Sequence, residues 1–96
     1  MVLEGGGHRV SARLAIDELG ELYGIELDDD DVDTVGGLLT KHLGRLPIAG
    51  DTVSAGGLEL VAERVDGRRK RLVSVVVRPT EALDEIRAAL EREAAE

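Results

Sequence analysis

Aromatic side chains are nearly missing from this sequence, which holds one Tyr and no Phe or Trp. Any core must therefore be assembled from Leu, Val, Ile and Ala, and an apolar share of 43% is enough for one of modest size. Cysteine is absent, which excludes disulfides and thiolate metal sites and fits a cytoplasmic setting. No apolar run approaches the roughly 20 residues a bilayer requires, and no signal-peptide pattern opens the chain. A segment of this kind does not span a membrane itself, although a parent protein can.

Bases are missing from the interval between Arg13 and Lys41, where nine acids fall. Residues 41–78 reverse the balance, with eight bases against four acids, and the tail from Pro79 is acidic again, six against two. The net charge of −8 would repel phosphate backbones, so nucleic acid is not expected as a partner.

What is present reads as short alternating elements. His8 to Arg13 looks like a strand. Ile16, Leu19, Leu22 and Tyr23 recur at helical spacing, which predicts a helix from about Ala15 to Tyr23, closed by Gly24. After an acidic connection, Asp33 or Thr34 can cap a second helix with Val35, Leu38, Leu39 and Leu43 on its apolar face. Gly44 and Pro47 end it. Thr52 to Ser54 is a brief strand. Leu58 to Val65 and Arg68 to Arg78 flank Asp66-Gly67, a dipeptide suited to a two-residue hairpin turn. That turn places Leu58 opposite Val75, Leu60 opposite Val73 and Glu63 opposite Lys70, in agreement with the apolar alternation.

Val61, Leu72 and Val76 then point to the second face of the sheet, where a solvated strand would be polar. A last helix from Glu81, capped by Thr80 and carrying Leu83, Ile86 and Leu90, is the nearest cover for that strip. The same helix from a second copy, in a homodimer, is the other. The predicted fold class is α+β: a small antiparallel sheet, two short helices on one face and an extra C-terminal helix, in the order β-α-α-β-β-β-α. Residues 1–7, with Gly5-Gly6-Gly7, are expected to be a flexible lead-in, 8–79 the domain and 80–96 the final helix.

The stretch Asp33-Thr34-Val35-Gly36-Gly37-Leu38-Leu39, then Leu43-Gly44-Arg45-Leu46-Pro47, then Gly50-Asp51, resembles the central signature of the CorC/HlyC transporter-associated domain. Leu19 to Leu27 is similar to that family's first helix and its exit. Asp66-Gly67-Arg68-Arg69, followed by Val73, Val75 and Val77, is similar to its final hairpin. Lys70 departs from the pattern, since the family often has an apolar residue there, and the last helix lies outside it. The resemblance implies a cytoplasmic module at the C-terminus of a membrane protein, after a transmembrane domain and a pair of CBS domains. Such parents are linked to magnesium and cobalt transport or resistance, and some were named haemolysins. It also implies an association with FAD, because the fold is shared with part of certain flavoenzymes, although fold alone does not carry function.

Sharper chemical readings compete with plain structural ones. Asp28 to Asp31, with Asp33, could attract Mg²⁺ or Ca²⁺, but the spacing matches no EF-hand, and a solvated loop capping a helix explains the run. His8 and His42 lack a third ligand for zinc. Gly44 to Asp51 follows a helix, where a phosphate loop precedes one and ends in Gly-Lys-Ser/Thr, so a capped helix end and tight turn account for it. Arg68-Arg69-Lys70-Arg71, with Arg64, is a basic patch that could touch anionic lipid, nucleotide phosphates or an acidic surface, or be a solvated hairpin end. The serines and threonines have no histidine in reach for nucleophilic chemistry. The expected function is therefore non-catalytic: a cytoplasmic regulatory module of an ion-transport-associated membrane protein, contacting its CBS neighbours, its transmembrane domain or a second copy. Val61, Leu72, Val76, Arg68, Arg69 and Arg71 form the expected contact surface. The alternative is a module for FAD or an adenine nucleotide, although one Tyr is little with which to cradle an isoalloxazine ring. No cofactor and no metal are otherwise expected.

Overall fold

A computed structural model describes residues 7–68 and 71–95, with helical side chains as far as residue 93. The elements are β1 His8–Ser11, α1 Ile16–Tyr23, α2 Val35–Leu43, β2 Thr52–Ala55, β3 Leu58–Asp66, β4 Arg71–Pro79 and α3 Glu81–Ala95. The class and order match the sequence-based expectation. The strands form one antiparallel sheet in the order β1-β4-β3-β2.

Both early helices end on a local signal, and α2 also begins on one. Thr34 accepts the Gly37 N–H on its side-chain oxygen at 3.1 Å, so one of the unpaired first-turn donors of α2 is satisfied. Ala15 gives α1 no such cap. Its start is tied instead to the start of α2, because Ile16 N–H donates to Asp33 O at 3.0 Å and Val35 N–H to Leu14 O at 2.9 Å. Gly24 and Gly44 close the two helices in the left-handed conformation, φ 70° and 73°, which glycine adopts without a Cβ penalty.

The two helices and one face of the sheet share a single aliphatic core. Leu19, Val35, Leu39, Leu58, Leu60, Val75 and Val77 are its fully buried members. At about 1.5–3 kcal/mol for each buried side chain, these residues dominate the stability of a domain this small. Tyr23 is the one aromatic ring in the core. Its hydroxyl donates to Val77 O at 3.3 Å and lies 2.8 Å from His8 Nδ1, with the two rings edge to face. Burial raises the Tyr23 pKa.

The β3–β4 register differs from the expected one. Leu60 pairs with Val77, Ala62 with Val75 and Asp66 with Arg71, which leaves residues 67–70 between the strands in place of a two-residue turn. Asp66 provides the cause: its Oδ1 accepts the Arg68 N–H at 3.0 Å, a local turn bond that competes with a tight hairpin. Leu60 therefore does not face Val73. The expected partner of Glu63, Lys70, lies outside the described residues; Glu63 accepts two bonds from Arg9 Nε, at 2.7 and 2.8 Å, and one from the Ser74 hydroxyl. The register also slips between Ala62 and Arg64 and again between Arg64 and Val65. Each strand thus takes one extra step, and both faces exchange beyond it.

Leu72 is the residue this slip moves. Expected on the outer face, it lies in the core at 9% exposure, while Val73 is turned outward at 42%. α3 differs from expectation in the same direction. Leu83 is buried in the common core, with Ile86 and Leu90 packed against it, so α3 covers the helix side and not the outer strip. Gly57 is what allows this approach, since a Cβ there would stand 2.7 Å from Leu83 Cα. The Thr80 hydroxyl donates to Gly57 O at 2.7 Å and fastens the start of α3 to the β2–β3 turn. Of the expected lead-in, Gly7 is buried beside β1 and residues 1–6 lie outside the described residues. Arg69 and Lys70 lie outside them as well.

Candidate functional site

The outer face of the sheet is carried by alternate residues of all four strands. Along one rung, Thr52 pairs with Val61, Val61 with Val76, and Val76 with Arg9. Val61 and Val76 are half-buried there. Of the three apolar residues assigned to this face by sequence, the structure brings two together and sends Leu72 to the opposite side. The Arg9–Glu63 ion pair lies beside them, and the charge-assisted bond from Arg9 holds the Glu63 carboxyl below its usual range.

The basic residues separate into paired and unpaired groups. Arg9 bonds Glu63, and Lys41 bonds Asp29 and Asp31. Arg45 meets Asp51 in two parallel bonds of 2.8 Å. Arg13, Arg64, Arg68 and Arg71 make no ion pair among the described residues. Arg68 and Arg71 are exposed at the hairpin end. The acidic run is partly consumed by structure: the Lys41 ammonium contacts Asp29 Oδ1 and Asp31 Oδ2, each at 2.8 Å, and its bond lowers the Asp29 pKa. Among the described residues no group of three or more His, Asp or Glu side chains is placed to hold a metal ion.

A feature that sequence reasoning missed stands on the α2–β2 connection. Leu46 and Ile48 are 59% and 61% exposed, on either side of a buried Pro47. Their loop is rigidly built. Besides its ion pair with Arg45, Asp51 Oδ2 accepts the Ile48 N–H at 2.8 Å, and Asp51 N–H donates to Ile48 O. Gly50 N–H donates to Ala62 O and Ala62 N–H to Asp51 O, both at 2.8 Å, anchoring the loop to β3. The bond from Arg45 lowers the Asp51 pKa. The sequence signal was slight, because Gly44 to Asp51 carries neither helical nor strand period and its apolar residues show no face.

A family model described as the transporter associated domain matches residues 2–80. A UPF0053 protein of Mycobacterium tuberculosis is 57% identical over 76 residues, 76% of this chain and 18% of that protein. The magnesium and cobalt efflux protein CorC of Escherichia coli is 34% identical over 79 residues, 79% of this chain and 27% of that protein. The chain thus matches only about a fifth to a quarter of the length of these relatives. Among solved structures, a hemolysin domain from Enterococcus faecalis superposes with a TM-score of 0.71 at 31% identity, covering 84% of this chain and 95% of that one. A transporter associated domain from a Xylella fastidiosa hemolysin, solved in complex with Mg²⁺ and Mn²⁺, has the same fold at a TM-score of 0.72 and 22% identity, covering 84% of this chain and 96% of that one.

Proposed function

Because the chain belongs to the CorC/HlyC family of transporter-associated domains, we propose that it is a non-catalytic accessory module of a longer ion-transport membrane protein. It works on the cytoplasmic side, through contacts with a neighbouring CBS pair and transmembrane domain. The observation that carries this reading is the match, over most of the chain, to a magnesium and cobalt efflux protein. The polar groups of the domain support it, since they are spent on architecture: His8 on Tyr23, Asp51 on Arg45, Asp29 on Lys41 and Thr80 on Gly57. The single aromatic ring, Tyr23, sits in the core, so it offers no platform for a flavin, and the flavin reading gains no support.

Contact is the mechanism, so co-purification is the test. The chain, tagged, is mixed with the separately purified CBS pair and transmembrane part of the longer protein. A stable or salt-sensitive complex is expected. Two components that migrate independently at tens of micromolar, in the presence and absence of Mg²⁺, would count against the reading.

A further inference from the structure

We propose that the groove between the α2–β2 loop and the slipped end of the β3–β4 hairpin is a docking site for an acidic segment carrying aliphatic side chains. The groove, of about 550 Å³, is lined by Leu46, Ile48, Ala49 and Val65 above the buried Pro47. It does not stand alone. Leu46 also borders a cleft edged by Arg13 and Arg71, and Ala49 and Val65 border another edged by Arg64. The apolar floor is thus continuous with Arg13 and Arg71 on one side and, on the other, with Arg64 beside the Arg9–Glu63 pair.

Three observations select the occupant. First, Leu46 and Ile48 are held outward by a loop clamped through Asp51, so no reordering cost stands between this surface and a ligand. Exposed apolar residues fixed in place beside a concavity mark a contact site more strongly than scattered ones. Second, the rim is basic in a chain whose net charge is −8. The acids at this rim, Asp51 and Glu63, are engaged by Arg45 and Arg9, which leaves Arg13, Arg64 and Arg71 to meet the carboxylates of a short segment within a Debye length of about 8 Å. An anionic bilayer would face the whole acidic chain, and its flat surface does not fill a concavity. Third, the one Tyr is in the core and the chain has no Phe or Trp, so no phenyl or indole platform is offered to bases, which disfavours nucleic acid. An acidic peptide segment with leucine-like side chains satisfies the floor and the rim together. The inference rests on the accessory-module reading, and names the surface through which a segment of the longer protein would be held.

The probe is a labelled acidic amphipathic peptide of glutamate and leucine, about 12 residues or three helical turns, titrated against the chain by fluorescence anisotropy. Saturable binding with a Kd below about 1 mM is expected, weakening as salt is raised from about 50 to 500 mM. Ile48→Ser and Arg71→Glu should each weaken it by about fivefold or more, with unchanged circular dichroism, because both side chains are exposed. Amide shifts should cluster at Leu46, Ile48 and Val65. A control peptide with serine for leucine should not bind. Absence of binding, binding indifferent to both substitutions, or preferential pelleting with phosphatidylserine vesicles would overturn the proposal. If efflux by the longer protein responds to loss of the whole domain while peptide binding ignores Ile48 and Arg71, the groove falls and the accessory reading stands. If loss of the domain leaves efflux unchanged, the accessory reading itself falls.

Discussion

At Gly57 one hydrogen atom decides how closely α3 can approach the sheet. Its φ is +83°, and a methyl group in place of that hydrogen would meet Leu83 Cα at 2.7 Å and Leu83 N at 2.8 Å. Both are backbone atoms that cannot rotate aside. Gly57→Ala therefore combines left-handed strain with overpacking, and we expect it to cost about 2 kcal/mol or more in urea unfolding. A change within about 0.5 kcal/mol, the range of ordinary surface substitutions, would show that α3 is not seated as described. Titration gives a second residue-level prediction. Asp29, Asp51 and Glu63 have pKa values lowered in the folded state, chiefly by side-chain bonds from Lys41, Arg45 and Arg9. A carboxylate lowered in this way stabilises the fold above its unfolded pKa of about 4, and that contribution disappears as pH falls through the lower folded value. The urea midpoint should thus be level from neutral pH to about pH 5 and decline below it. Asp51→Asn should flatten part of that decline, and an unchanged acid limb in the variant would contradict the clamp.

Helices were legible in the sequence because their signals are local. Thr34, Gly24 and Gly44 act within one turn of chain, and the structure places each at the cap its neighbours require. The β3–β4 hairpin was less legible for a physical reason. Alternation fixes which side chains share a face, but a shift by an even number of residues preserves every face. The pairing of Leu60 with Val73 and the observed pairing with Val77 satisfy the pattern equally well. Only the turn can choose between them, and Asp66 bonding to Arg68 chooses the longer loop. Leu72 and Val73 were harder still, since in a run of Leu, Val, Ser and Val no polarity contrast announces a slip of one step. α3 was visible as a helix, yet its docking side was not, because Gly57 makes room for Leu83 from far along the chain. Leu83→Ala should cost about 2–5 kcal/mol, as for a buried leucine. Removal of residues 81–96 should lower the thermal midpoint while leaving a folded domain, since the family match ends at residue 80. A truncated chain with an unaltered midpoint would mean that Leu83 is not part of the working core.

At the scale of the whole molecule, three helices are gathered on one face of the sheet and the other face is left to Val61, Val73, Val76 and polar groups that include the Arg9–Glu63 pair. The family was readable from the order and spacing of many small signals, Thr34 to Asp51 above all. The apolar-basic groove was not, because Leu46 and Ile48 lie in an aperiodic loop and meet Val65 only after folding. The proposed function has the domain adjust a longer ion-transport protein without carrying the transport chemistry. Co²⁺ efflux is therefore to be measured in cells making the longer protein with and without residues 8–80, at matched membrane abundance. Efflux is expected to persist without the domain, with its rate or its metal threshold moved by about fivefold or more. Efflux identical in rate and threshold, or abolished altogether in a properly inserted protein, would contradict this expectation.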